Sequence, residues 1–342
     1  MQAQAVVTVA PCQVEFQTVQ VPEPTDEDVV LRVTHSWISP GTEGSFIRGE
    51  RVNGETPRRD DDPFPFPMVT GYQKVGVVEW AGKAVTHVKV GEMAFATVSK
   101  IEGVHGGFGG HVSPAVTPRQ QVYALPQLAG THLHPSAFSG LVLAQVGYNC
   151  GARPMLQEGE IDSNAAVVIG DGLVGHWSAQ TLAARGARVM LVGRHESRLG
   201  RFAARLQDRR INGAQQDVLA AVRDWAPEGV QVVVDTVGSV ESLELLIPAM
   251  RHNGQLVSAG FHGTRGGMDL QHLRFGELTL HNPSGWATER MNTTRDWIAS
   301  GALQTESLIT HRFPVAQAAD AFGLVLNRNT DALGIVLDWG EA

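Results

Sequence analysis

The sequence predicts an α/β protein built in two parts, a β-rich domain and a doubly wound parallel-sheet domain. Three observations carry the prediction. Roughly the first 140 residues hold short β-branched runs punctuated by proline and glycine. From Ala165 onward, strand-length apolar runs alternate with helix-period segments. Between the first of those strands and its helix stands Gly170-Asp171-Gly172-Leu173-Val174-Gly175, a Gly-x-Gly-x-x-Gly turn.

In chain order, residues 4–9, 14–19, 29–33, 75–80 and 92–98 read as strands, because valines recur in them and Pro11, Pro22 and Pro24 break the runs. Residues 51–67 are polar, acidic and rich in proline and read as a surface loop, with a lid over a substrate as the alternative. Apolar spacing turns helical over 138–148. Strands at 165–169, 188–192, 230–235 and 255–259 then alternate with helices at 173–185, 195–206, 218–225 and 240–251. A strand at 277–282 follows, and after it a helix at 293–300, a strand at 308–312, a helix at 315–326 and a strand at 334–339. The last forty or so residues are expected to pack back on the β-rich part. The expected domains are therefore 1–137 with 286–342, and 138–285.

The 342 residues carry a formal charge of −8, and 43% are hydrophobic. No concentrated basic surface suggests itself, which argues against a nucleic-acid partner. No apolar run approaches the roughly 20 residues of a membrane helix, and the first ten residues lack the pattern of a signal peptide. With two cysteines, Cys12 and Cys150, far apart in sequence, a disulfide scaffold is implausible and a cytoplasmic location is expected.

The glycine turn implies a dinucleotide. Gly170 permits the sharp bend, Gly172 lets backbone approach a pyrophosphate, and Gly175 allows close helix–strand packing. The helix that opens at Leu173 and Val174 offers free N–H groups to phosphates. Cofactor choice turns on the end of the next strand, which reads Val192-Gly193-Arg194-His195-Glu196-Ser197-Arg198. An acid there would accept from a ribose 2′-hydroxyl; Gly193 stands in its place, and Arg194, with Arg198 a turn later, suits a 2′-phosphate. NADP(H) is the expected cofactor. Thr236 and Gly238, ending one strand, are expected toward the adenosine; Ala259, Gly260 and Phe261, ending the next, toward the nicotinamide ribose. Asp235 reads either as part of that site or as a loop cap.

This layout resembles the medium-chain dehydrogenase/reductase superfamily, whose members join a GroES-like catalytic domain to a Rossmann domain. Pro67-Met68-Val69-Thr70-Gly71-Tyr72-Gln73-Lys74-Val75-Gly76-Val77-Val78 is similar to its Pro-x-x-x-Gly-His-Glu-x-x-Gly-x-Val segment, and Gly106-Gly107-Phe108-Gly109-Gly110-His111-Val112 to its Gly-Gly-aromatic-Ala-Glu-Tyr-Val strand. The positions of the family's zinc ligands are Ser39, Tyr72-Gln73 and Pro135 by alignment, so the resemblance implies no metal site. His105, His111, His132 and His134 are expected to be solvated or to cap helices. Ser39-Pro40-Gly41-Thr42-Glu43 with Gly71-Tyr72-Gln73 is closest to a zinc-less branch typified by bacteriochlorophyllide dehydrogenases, although Gln73 departs from an acidic residue there.

Alcohol–carbonyl interconversion without a Lewis acid needs a side chain to hold the proton. The resemblance offers Ser39, Thr42, Glu43, Tyr72, Gln73 and Ser139 near the chemistry. Tyr72 is the best acid, Ser39 and Glu43 further catalytic candidates, and Ser139 and Thr42 cofactor contacts. An organic small molecule is the expected substrate. Reduction of a quinone or a conjugated double bond is the alternative, and a non-catalytic NADP(H) sensor the next. The strand at 277–282 should be the far edge of the Rossmann sheet, and pairing with its twin implies a homodimer.

Overall fold

Where the sequence alternates strand and helix, six parallel strands form one sheet in the order Arg209–Asn212, Arg188–Gly193, Ala165–Ile169, Val230–Asp235, Met250–Ser258 and Thr279–His281. Numbered along the chain, that is the 3-2-1-4-5-6 order of a doubly wound sheet. The structure, a computed structural model, describes residues 1–54, 56–128, 132–156, 164–263, 266–327 and 331–340. These divide into two compact units, 1–142 with 305–342, and 143–304.

In the second unit, valines alternate across the parallel sheet, so both faces are apolar and each is covered. Val168, Val189 and Val234 pack with Leu182 and Phe202 on one face, and Val167, Val192 and Val233 with Val222 and Leu246 on the other. The helix Leu173–Ala184 follows the first strand, and Val218–Trp225 matches its expected bounds. Two expected helices are shorter than the apolar pattern suggests. The helix expected over 195–206 is a single turn, Glu196–Leu199. Gly200 ends it, and Arg205 is drawn off the axis by the buried Asp208 carboxylate (Nε–Oδ2 2.8 Å), which also accepts from the Val189 N–H at 2.8 Å. The helix expected over 240–251 stops at Leu246, because Pro248 lacks an N–H and a 3-10 turn hands the chain to the strand at Met250. The edge strand Arg209–Asn212 and the helix Leu270–Phe275 had no clear signature in the sequence.

The domain boundary also differs. The helix Thr288–Ala299, expected with the β-rich part, belongs to the parallel-sheet unit. Trp297 meets Tyr148 edge-on at 5.0 Å, Arg290 Nε donates to Gln145 Oε1 at 3.1 Å, and Trp177 Nε1 donates to Gln304 O at 3.0 Å. The amphipathic period showed the helix but not which core it would cover.

The first unit is built on the long strand Asp28–Ile38. Lys74–Ala81 pairs with one side of it and Gly334–Asp338 with the other, and Ala115–Pro118 also pairs with it. A second sheet combines Gln2–Ala10, Gln13–Gln20, Met68–Val69 and Val112–Ser113. The return of the chain's last strands to this unit is therefore observed. No helix among the described residues is long and apolar enough to cross a membrane.

One residue in this unit departs from the apolar rule. Lys74 opens the strand Lys74–Ala81 opposite Ser36 and Ala96, is fully buried, and donates from Nζ to Thr97 O at 2.6 Å. Burial pushes its pKa down to about 7 from an ordinary 10.5. Between those values the unfolded chain binds a proton that the folded chain does not, so this group makes stability rise with pH from 7 to 10.5. Lys74→Met is expected to be more stable than the unmodified protein by about 3 kcal/mol at pH 7, the burial penalty less one hydrogen bond. That gap should close toward pH 10 in urea-unfolding measurements; identical pH profiles for the two proteins would refute it.

Candidate active site

In the parallel-sheet unit, the strands ending at Ile169, Gly193, Asp235 and Ser258 bring their following loops to one end of the sheet. Gly170 leaves the first strand at φ 119°, and a Cβ on Gly175 would collide with Gly170 O, so the turn closes directly onto the helix. Nothing lies within 4 Å of a Cβ built on Gly172. This is the open backbone approach a pyrophosphate needs at the start of Leu173–Ala184, so the residues present fit a dinucleotide. Leu173 is buried in the core and Val174 half-buried.

The flanking loops interlock. Thr236 donates through Oγ1 to Ile169 O at 2.9 Å, and the backbones of Gly238 and of Gly260 and Phe261 approach so closely that a Cβ on either glycine would clash. Ala259 N donates to Asp235 O at 2.9 Å. The Asp235 carboxylate is buried and accepts from the N–H groups of Val237, Gly238 and Ser239, so it is a loop cap. After Gly193, the Arg194 side chain is exposed, while His195 and Arg198 are half-buried and face Asp171.

In the β-rich unit, Ser39 ends the strand Asp28–Ile38 and precedes the helix Pro40–Ile47, which Pro40 starts. Tyr72 Oη donates to Ser39 Oγ at 2.7 Å. Glu43 reaches back from the first turn and accepts from Ser39 N at 2.7 Å through Oε1. Its Oε2 lies 2.8 Å from His111 Nε2, and His111 Nδ1 lies 2.8 Å from Ser36 Oγ, which also accepts from Trp339 Nε1 at 2.9 Å. Ser36, Glu43 and His111 are each 0% exposed and Ser39 is 1% exposed. Tyr72 keeps part of its surface in solvent, yet burial of its hydroxyl pushes its pKa up to about 12. Thr42 is half-buried beside that phenol. Ser139 is fully buried and donates its hydroxyl to Ser136 O at 2.8 Å.

His111 was expected among the solvated or capping histidines and is neither. Gly71, at φ 86°, packs against it so tightly that a Cβ there would stand 2.6 Å from Nε2. Its neighbour Gly110 abuts the Gly71-Tyr72 backbone, and this seals the imidazole over Glu43. The sequence separated the pair by 68 residues and gave no sign of it. His134, by contrast, caps a 3-10 turn by accepting from Ser136 N at 3.2 Å.

Zinc does not fit these residues. The aligned ligand positions hold the Ser39 and Tyr72 hydroxyls, bonded to each other, the Gln73 amide, which donates to Trp37 O at 3.2 Å, and Pro135. Glu43 and His111 satisfy one another, and no group of three metal-binding side chains occurs among the described residues.

Residues 174–300 match the zinc-binding dehydrogenase family model. The chain is 26% identical to 2-desacetyl-2-hydroxyethyl bacteriochlorophyllide A dehydrogenase of Cereibacter sphaeroides, with 99% of each chain covered. Among solved structures it superposes on a short chain alcohol dehydrogenase from Escherichia coli CFT073 in complex with NADH, at a TM-score of 0.81 and 19% identity, with 99% of both chains covered. A protein from Sinorhizobium meliloti 1021 solved with NADP bound gives a TM-score of 0.77 at 18% identity, again covering 99% of both chains. The fold is thus that of medium-chain alcohol dehydrogenases, and a nicotinamide cofactor accompanies it in these structures.

His111→Ala would leave the Glu43 carboxylate sealed from water without its principal partner. It should lower unfolding stability by about 1–3 kcal/mol, the usual cost of leaving a buried polar group without its hydrogen-bond partner, and His111→Gln by less. Urea-unfolding midpoints measure both; a loss below about 1 kcal/mol for the alanine variant would show that the pair is dispensable.

Proposed function

We propose that this chain, which belongs to the medium-chain dehydrogenase/reductase superfamily, interconverts an alcohol and a carbonyl on an organic molecule with NADP(H) and without zinc. The observation that carries this reading is the Tyr72–Ser39 hydroxyl pair, 2.7 Å apart, at positions that the family resemblance matches to zinc ligands. A nicotinamide dinucleotide held at the Gly170–Gly175 turn would supply or accept the hydride. What remains for the protein is one proton and the exclusion of water.

Tyr72 suits the proton. With its pKa pushed up to about 12 by burial, the phenol stays protonated at neutral pH, and turning its one O–H away from Ser39 Oγ would make it a donor to an oxygen gaining charge. It alone of the three catalytic candidates retains solvent exposure. Ser39 and Glu43 are sealed, so we read them as positioning residues: Ser39 Oγ orients the phenol, and Glu43, gripped by His111, holds the Ser39 backbone. Ser139 and Thr42 stay proposed cofactor contacts through backbone or carbon atoms, since the Ser139 hydroxyl is already engaged.

The exposed Arg194 guanidinium, directly after Gly193, supports NADP(H) over NAD(H). One cysteine, Cys12, is exposed and Cys150 buried, and neither is paired, as suits a reducing cytoplasm. A homodimer is proposed through Thr279–His281, which among the described residues pairs on one side only, with Met250–Ser258. Leu270 and Phe275, just before this strand, are 70% and 83% exposed, an apolar surface that asks for cover.

Tyr72→Phe should lower the rate of NADPH-dependent carbonyl reduction by about 100-fold or more, and dialysis against a chelator should leave the unmodified rate intact. An unchanged rate in the phenylalanine variant, with double-bond substrates turned over, would instead favour the reductase reading. Light scattering at micromolar concentration should report a dimer, and Thr279→Pro, which removes a ladder donor, should shift it toward monomer. A monomeric unmodified protein ends the dimer proposal.

A further inference from the structure

The strand Arg188–Gly193 ends without an acid, yet a carboxylate occupies that place. Asp171, the variable residue between the first two glycines of the turn, directs its side chain across to the end of the neighbouring strand. A Cβ on Gly193 would stand 2.5 Å from Asp171 Cβ and from Asp171 Oδ2, so the carboxylate fills the space a side chain at 193 would take. Oδ2 accepts from Arg194 N at 2.7 Å, from His195 N at 2.8 Å and lies 3.0 Å from His195 Nδ1. Oδ1 faces Arg198 Nη1 at 3.7 Å, beyond hydrogen-bond reach, and it is not among the sealed polar atoms of the described residues. That oxygen remains an available acceptor.

Burial pushes the Asp171 pKa up, but the two backbone N–H groups and the His195 side chain outweigh it and hold the group below the ordinary carboxylate value. The side chain is therefore an anion at neutral pH. In a doubly wound sheet the end of the second strand meets the adenosine ribose, where an acid binds the 2′-hydroxyl and repels a 2′-phosphate. Here one acid and one base approach that position from different segments.

We propose that Asp171 is a specificity-determining residue, a transposed ribose acid that accepts from the 2′-hydroxyl through Oδ1 and opposes the pull of Arg194 on a 2′-phosphate. The proposal rests on the reading that residues 170–175 hold a nicotinamide dinucleotide. It adds that selectivity is a balance between two residues rather than the work of Arg194 alone. Gly193 is then required twice over, as the absence of the usual acid and as the room for its replacement. The loop amides gripped by Oδ2 fix the distance between the two opposing charges.

The test is equilibrium binding of NADPH and NADH, followed by nucleotide fluorescence, to the unmodified protein, Asp171→Asn, Asp171→Ala and Arg194→Ala, with thermal melting as the control for folding. Asp171→Asn is isosteric and keeps one oxygen for the loop amides. It should weaken NADH and spare or strengthen NADPH, raising the NADPH-to-NADH affinity ratio by about tenfold or more, as loss of a charge-assisted hydrogen bond and a like-charge contact implies. Asp171→Ala should shift the ratio in the same direction, and Arg194→Ala in the opposite one. If either folded Asp171 variant loses affinity for both nucleotides by the same factor, the carboxylate only shapes the loop and the proposal is overturned. A ratio that falls overturns it as well. Failure of the unmodified protein to bind either nucleotide would instead overturn the dinucleotide reading on which it rests, a result distinct from an unchanged ratio.

Discussion

An acid and an imidazole shut away from water, Glu43 and His111, fix the geometry of the Tyr72–Ser39 pair in the β-rich unit. A lone buried carboxylate is expensive, and this one is stabilised only because three segments converge on it. It ties the end of the strand Asp28–Ile38 to the first turn of the helix after it and to the glycine-rich segment at His111. Through Ser36 the same network reaches Trp339. Because Gly71 and Gly110 carry no side chains, Tyr72 is placed against this network with little freedom. The Tyr72 ring, held through its hydroxyl by the sealed Ser39, is thus the partly exposed end of a rigid buried scaffold.

The parallel-sheet unit is preorganised by the same logic with different means. Its loops are held by carboxylates that accept backbone N–H groups: Asp235 at one strand end and Asp171 at another. Each would be unstable alone in a buried place, and each is satisfied by converging amides. Loops fixed in this way need not be ordered by the ligand, so less binding energy is lost when a dinucleotide arrives.

Much of this was legible in the sequence, and for identifiable reasons. The turn at Gly170 to Gly175 demands glycine at fixed offsets, so its residue types announce it. The strands at Ala165–Ile169 and Val230–Asp235 are short apolar runs with clear flanks, and their bounds matched. What stayed hidden was decided by pairs distant along the chain. Arg205 and Asp208 cut a helix short through a contact to Val189, and the core covered by Thr288–Ala299 depends on Tyr148 and Gln145. Asp171 read as an arbitrary position inside a motif, because only the spatial neighbour Gly193 gives it meaning. Lys74 follows Gln73 just ahead of the strand expected at 75–80, and nothing local signalled that its amine would be enclosed.

The placement of the strand Gly334–Asp338 has a consequence for biosynthesis. It inserts beside Asp28–Ile38, pairing Ile335 with Ile38 and Asp338 with His35, so the central strand of the β-rich unit lacks one neighbour until residue 338 has been translated. The parallel-sheet unit, by contrast, is one continuous stretch from 143 to 304 and can fold as soon as it leaves the ribosome. A nascent chain arrested just after residue 304 should therefore show a protease-resistant fragment from the later stretch while the earlier one is digested. During that interval an unpaired, largely apolar strand edge is open to chaperones, and a slow translation step between residues 304 and 338 would prolong that exposure.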